Sequence, residues 1–245
     1  TITITDNESA PTVTLTTGTN SIAENTSGTT SVTATLTGAT YENTTITLSF
    51  SGTATRNSDY NIIETITIPT GQTSSNTQLN HFNDIIFETN ETVIIDISSV
   101  SGGGATENGA QQETITITND DSAPTLTLAS SSSSVDENGS AITLTGTLSN
   151  PTYQTVTVSI SASGTATLNT DYTLSATSFT IAAEGTTGSV TATPTNDNTF
   201  EGDETIIIDV SSVSGGSATE SGTQQVTIAL KEDDAGPALS INDVT

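Results

Sequence analysis

The chain contains no cysteine, methionine or tryptophan, and its only basic residues are Arg56 and Lys231. Each absence excludes something. Without cysteine there is no disulfide and no thiolate zinc site. Without a supply of Lys and Arg there is nothing to displace counterions from nucleic-acid phosphates, so no nucleic-acid partner is expected. An anionic membrane surface would repel the chain. No apolar run reaches the length of a bilayer span, so no direct membrane insertion is expected. No charged and apolar leader opens the sequence, and the missing initial methionine is expected of a piece of something longer.

What is present is acid and threonine. Twenty-eight Asp and Glu give a formal net charge of −26 over 245 residues, while apolar residues make up only 31%. Low hydrophobicity with high net charge usually means disorder. Here charged residues are 12% of the chain, so most of the polarity is Thr and Ser. Threonine is β-branched and suits a pleated surface.

The sequence repeats itself. Glu91–Gly103 returns 113 residues later as Glu204–Gly216, and Glu24-Asn25 and Asp120-Asp121 return as Glu137-Asn138 and Asp233-Asp234. Ser51–Thr55 and Asp59-Tyr60 return as Ser163–Thr167 and Asp171-Tyr172 at an offset of 112, a one-residue slip of the kind surface loops absorb. Two full repeats are therefore expected, 10–122 and 123–235. Residues 1–9 read as the last strand of a preceding repeat, and 236–245 as the first strand of a following one.

Each repeat reads as β structure. Apolar and polar residues alternate over Thr12–Thr16, Ser31–Thr37, Thr45–Phe50, Glu64–Ile68, Asn76–Phe82, Glu91–Ile97 and Glu113–Thr118. In Glu91–Ile97 the core face is Val93, Ile95 and Ile97. Seven short strands in about 110 residues predict an all-β fold, an antiparallel immunoglobulin-like sandwich in tandem. A parallel β-helix would repeat every 20–30 residues instead. The Ser-Gly-Gly stretches before the last strand read as mobile loops.

The acids gather where strands end. In the first repeat these are Glu24, Asp59, Asp84, Glu88, Asp120 and Asp121. In the second they are Glu137, Asp171, Asp197, Glu201, Asp203, Glu232, Asp233 and Asp234. Loops of a sandwich cluster at its two poles, so several of these carboxylates are expected to meet. Two carboxylates ~5 Å apart repel by roughly 3 kcal/mol at an effective dielectric of 20. With one basic residue per repeat, raised carboxylate pKa values or bound cations would relieve that repulsion; the plainer alternative is that the acids simply solvate the loops. Oxygen ligands from separate loops suit Ca²⁺, which takes six to eight, better than Mg²⁺, which keeps its water.

These segments carry a resemblance. Ser21-Ile-Ala-Glu24-Asn, the Gly52-Thr-Ala-Thr…Asp59-Tyr60 segment, Asn83-Asp84-Ile-Ile-Phe-Glu88-Thr-Asn-Glu91 and the Asp120-Asp121 pair, with their second-repeat counterparts, resemble a Calx-beta domain. That module is named for the regulatory region of sodium–calcium exchangers and is common in bacterial surface proteins. The resemblance implies a seven-stranded antiparallel sandwich with calcium held at the pole near the C-terminal linker. It implies metal ligands at Glu24, Asp59, Asp84, Glu88, Asp120 and Asp121, and at Glu137, Asp171, Asp197, Glu201, Asp233 and Asp234, with Glu232 opening the second triplet. Asn83 and Asn196 stand where strong binders have an additional Asp, which leaves the number of ions per site open, and Asn119 stands where they have the first Asp of a triplet, which implies weaker binding in the first repeat than in the second, where Glu232 stands.

The other motifs favour structure over chemistry. His81 aligns with Pro194, so the second repeat does without it, and no nucleophile elbow, zincin motif or phosphate loop is present. Tyr60 and Tyr172 read as packing anchors. The Thr-x-Thr strings read as the solvent faces of strands rather than an ice-binding array, and the scarcity of aromatics argues against a lectin. A Lys–Asn isopeptide staple is impossible in a repeat without Lys. The function expected is non-catalytic: a calcium-stiffened rod in a long secreted or surface-anchored bacterial adhesin or gliding filament. Its expected partners are neighbouring repeats, with surface or glycan ligands bound by other parts of the protein. The alternatives are a calcium-sensing regulatory module and a ligand-binding adhesin tip.

Overall fold

A computed structural model describes residues 2–3, 7–25 and 27–240. The chain forms two compact units: unit 1 runs up to Asp84 and resumes over Glu88–Asp120, and unit 2 comprises Ile85–Phe87 and the chain from Asp121 on. No helix occurs among the described residues.

Unit 1 has strands β1 (Thr12–Thr17), β2 (Ser21–Ala23), β3 (Gly28–Leu36), β4 (Thr44–Gly52), β5 (Tyr60–Ile62), β6 (Thr65–Ile68), β7 (Ser74–His81), β8 (Glu91–Ser101), β9 (Thr106–Glu107) and β10 (Gln112–Thr118). They form two five-stranded sheets, ordered β5-β7-β3-β1-β9 and β2-β10-β8-β4-β6. Unit 2 repeats this order with β11 (Thr125–Ser130), β12 (Ser134–Asp136), β13 (Ile142–Leu148), β14 (Val156–Gly164), β15 (Tyr172–Leu174), β16 (Ser178–Ile181), β17 (Thr187–Pro194), β18 (Glu204–Ser214), β19 (Thr219–Glu220) and β20 (Gln225–Lys231).

The all-β sandwich expected from the alternation is what forms, and the seven expected strands of the first repeat all appear. Three further strands per unit were not expected: β2, β5 and β9, with β12, β15 and β19. At two or three residues they are too short to show a period. They lie at sheet edges, and β2 and β9 pair in parallel with β10 and β1, so the sandwich is not wholly antiparallel. The expected flanking strands at 1–9 and 236–245 fall partly outside the described residues, and their described portions carry no strand.

Alternation builds the core. Val93 and Ile95 are fully buried and Ile97 nearly so, as the pattern of β8 requires, and they meet Ile46, Ile66, Leu79 and Ile115 from the other strands. Tyr60 and Tyr172 are buried anchors, at 3% and 1% exposure. His81, 7% exposed at the end of β7, lies opposite Gly28 and Tyr60 in the sheet, a packed strand-end histidine.

The Ser-Gly-Gly stretches form turns in which two glycines approach neighbouring backbone closely. Gly102 has φ +89° and Gly215 has φ +99°, and a Cβ on either would sit about 2.1–2.2 Å from the carbonyl oxygen of Asn43 or Thr155. Only glycine adopts that backbone at that approach.

Strand direction brings the acids to one pole. The start of β8 lies beside the end of β10 (Glu91 opposite Ile117) and the end of β4 (Val93 opposite Gly52). In the other sheet the start of β5 and the start of β3 both lie opposite His81, at the end of β7. The loops holding Glu24, Asp59, Asp84, Glu88 and Asp120 therefore leave from the same end of unit 1.

Candidate metal centre

The turn before β5 fixes the first ligand. Asn57 and Asn169 take left-handed backbone, φ 72° and 70°, which asparagine tolerates better than most residues. Their N–H groups donate to Tyr60 O and Tyr172 O at 2.7 Å. The turn folds back so that Asp59 and Asp171 accept through Oδ2 from Thr55 N–H and Thr167 N–H, the latter at 2.6 Å. Each Asp thus spends one oxygen on its own turn and is buried, at 6% and 7% exposure.

The second ligand set comes from the ends of β2 and β12. Glu24 N–H donates to Thr118 O and Glu137 N–H to Lys231 O, extending the parallel pairing by one residue. This carries both side chains inward, and both are buried. Asp197 N–H donates to Glu137 Oε1 at 3.2 Å.

In unit 1, Asp59, Glu88 and Glu91 each offer a carboxylate oxygen, with the three oxygens within 4.8 Å of one another. In unit 2 two such groups form: Asp171 with Glu201 and Glu204, and Glu137 with Glu232 and Asp233. Glu24, Asp84 and Asp120 are not members of the unit 1 group, although the charge of Glu24 reaches Glu91, and Asp121 falls in unit 2. Asp197 and Asp234 stand outside the two groups of unit 2, although their N–H groups donate to Glu137 and Glu232.

Glu91 and Glu204 were not among the expected ligands. Each opens a long strand and was read as part of its alternation. The available signal was their recurrence at the same 113-residue offset as the other acids.

The electrostatics follow from crowding. Glu91 is pushed up to about 8, first by burial and then by its contact with Asp59 and the charges of Asp59, Glu88 and Glu24. Its Oε2 is buried and meets no donor, so contact with Asp59 becomes a hydrogen bond only when one of the two is protonated. Glu204 is raised by burial and by Asp171, Glu201 and Glu137. Glu137 is raised mainly by burial, against a partly offsetting bond from Asp197, with Asp197, Glu232 and Asp233 adding repulsion. Glu201 is raised chiefly by the charge of Asp171, and Asp234 by burial and by its acidic neighbours.

Glu232 goes the other way. It accepts from Asp234 N–H at 2.8 Å, Glu201 N–H at 2.5 Å and Gly202 N–H at 2.9 Å, and these bonds hold it below the usual range. In unit 1 the same place is held by Asn119, whose Oδ1 accepts from Glu88 N–H at 3.2 Å. The Asn-for-Glu exchange keeps the loop bond and removes a charge. Lys231 pairs with Asp203, and Arg56 pairs with Glu64; these are the only ion pairs among the described residues.

The donor set consists of carboxylates only, drawn from separate loops, with one oxygen buried and unpaired. It suits a hard cation such as Ca²⁺ and offers nothing to a soft metal. A cation here would relieve both the mutual repulsion and the raised Glu91.

The sequence profile of the Calx-beta domain matches residues 6–122 and 119–234. No curated protein sequence matches the chain. Among solved structures, CBD12 from CALX1.2 aligns at 15% identity with a TM-score of 0.40, covering 90% of this chain and 100% of that one. The calcium binding domain CBD12 of CALX1.1 aligns at 14% identity with a TM-score of 0.37, covering 85% and 95%. The apo-form Calx CBD1 domain aligns at 18% identity with a TM-score of 0.39, covering 45% of this chain and 99% of its own. The chain belongs to the Calx-beta family, of which it carries two tandem domains.

Proposed function

We propose that this chain is a non-catalytic, calcium-binding stretch of a long bacterial surface protein, an adhesin stalk or gliding filament that calcium stiffens. The observation that carries the reading is the convergence of three carboxylates on one oxygen cluster in unit 1, and of two such clusters in unit 2. Glu24, Asp59, Glu88 and Glu91 would hold the ion of unit 1. Asp171, Glu201 and Glu204, with Glu137, Glu232 and Asp233, would hold those of unit 2. The ion supplies positive charge, and the side chains supply position. The short Pro-containing linkers Ser122-Ala-Pro124 and Ala235-Gly-Pro237 support a rod rather than a flexible string. An extracellular setting supplies calcium at the level such modules use, ~10⁻⁴–10⁻³ M.

Calorimetric titration tests this. Binding near ~10⁻⁴–10⁻³ M, with fewer or weaker sites in unit 1, fits the stalk. The alternative, a calcium-sensing regulatory module, is supported by the Glu91 group, whose charge state changes near neutral pH. It requires binding at ~10⁻⁷–10⁻⁵ M. Chelation that leaves both the melting temperature and the scattering-derived length unchanged would sink the stiffening mechanism.

A further inference from the structure

Asn-Gly occurs twice in the chain, at Asn108-Gly109 in unit 1 and at Asn138-Gly139 in unit 2, each time after a glutamate. Glycine has no Cβ to hinder attack by its own nitrogen on the preceding side chain, so the pair is prone to close a five-membered ring. The two copies are held differently. Gly139 N–H donates to Asp136 O at 2.8 Å, and the Asn138 amide donates to Asp233. Both groups that must react there are tied. Asn108 is tied only through its backbone: its N–H donates to Val13 O at 3.0 Å, and its C=O accepts from Gln111 Nε2 at 2.6 Å. Its side-chain amide and the Gly109 N–H make no hydrogen bond among the described residues. Asn108 and Gly109 are exposed, and so are their unit 2 counterparts Ser221 and Gly222.

The backbone of Asn108 also guards a strand edge. β9 ends at Glu107, and beyond it Leu15 N–H of β1 donates to Gln111 Oε1 at 3.2 Å. Gln111 is fixed by Asn108 O and by Glu107 Oε1, which accepts from Gln111 N–H at 2.6 Å. Unit 2 builds the same guard from Ser221, Gln224 and Leu128, without an asparagine.

We propose that Asn108-Gly109 is a site of spontaneous deamidation that unfastens this edge. The Gly109 nitrogen attacks Asn108 Cγ, the Cγ–Nδ2 bond breaks, and ammonia leaves with the glycine proton. One water then opens the succinimide at either carbonyl, giving aspartate or isoaspartate with no change of oxidation state. Either product adds a negative charge beside Glu107. Isoaspartate also reroutes the main chain through Cβ and turns the carbonyl that holds Gln111 into a carboxylate. Leu15 N–H then loses its cover.

Ageing the whole chain in mildly alkaline buffer with calcium, below its melting temperature, tests this. Peptide-resolved mass spectrometry reads the conversion of each asparagine. In the folded protein Asn108 should convert at least about tenfold faster than Asn138, whose two hydrogen bonds must break first. In urea the two should convert alike. Hydrogen exchange at the Leu15 amide should speed up in aged wild type but not in equally aged Asn108→Ser, which carries the unit 2 residue. The proposal is overturned if Asn108 converts no faster than Asn138 when folded, if the difference persists in urea, or if ageing leaves Leu15 exchange unchanged.

Discussion

Glu91→Gln offers the sharpest test of how the acidic pole works, because its effect should change sign with calcium. In the ion-free protein Glu91 titrates at about 8 against an ordinary 4.5. The folded unit therefore holds a proton that the unfolded chain has released. As pH rises from 4.5 to 8 the unfolded chain gives this proton up while the folded unit keeps it, so unit 1 loses stability over that interval, and above 8 the loss is complete. The magnitude comes from geometry. Oxygens of Asp59 and Glu88 lie within 4.8 Å of a Glu91 oxygen. One such pair is worth about 3.5 kcal/mol at an effective dielectric of 20. Glu91 is only partly buried, and solvent screening brings the net effect to roughly 1–2 kcal/mol. The amide keeps the volume and removes the charge. In EDTA at pH 8, Glu91→Gln should raise the melting temperature of unit 1 by about 4–10 °C. At pH 4.5 variant and wild type should melt together. With calcium at several millimolar the order should reverse, because the variant offers the ion one charge less. Calorimetry across that pH range, with and without calcium, reads all three outcomes. A variant that melts at or below wild type in EDTA at pH 8 would refute the crowding argument, as would a wild type whose stability rises with pH over this interval.

Other outcomes follow from the same geometry. Asp171→Asn and Glu204→Gln should each weaken calcium binding in unit 2 by about tenfold or more, read by titration calorimetry, with unit 1 binding unchanged. Gly102→Ala should destabilise unit 1 by more than about 1 kcal/mol, because it meets both a positive φ and a carbonyl; urea unfolding measures it. Gly104→Ala shares the positive φ but has open space around its Cβ position, so it should cost clearly less. Leu79→Ala, at a fully buried site, should cost about 2–5 kcal/mol in the same assay.

The fold was legible because one face of each strand is buried and period two is hard to mistake over six or more residues. Val93, Ile95 and Ile97 show this directly. The short edge strands were not legible, because Ser21–Ala23 and Tyr60–Ile62 owe their pairing to neighbours far away in sequence. The glycine turns were misread for a related reason. Composition marks Gly102 as permissive, whereas the approach of Asn43 leaves no room for any side chain there. At the acidic pole the repeat identified most of the cluster members. It missed Glu91 and Glu204, whose position at the head of a strand looked structural until the strand directions placed them beside Asp59 and Asp171. Asn119 and Glu232 show the reverse case, where a difference in charge hides a shared loop bond.

The parallel pairing of β2 with β10 has a mechanical consequence. The strand following β1 runs alongside the last strand of the unit and in the same direction. Tension applied at the two ends of a unit therefore loads these neighbours lengthwise. Their hydrogen bonds lie across the pull and must give way together, whereas a hairpin opened from its end loses them one at a time. Strength under load then depends on the rate of that concerted rupture rather than on equilibrium stability. A domain with a modest apolar content can hold under tension because of the order in which its strands are laid down.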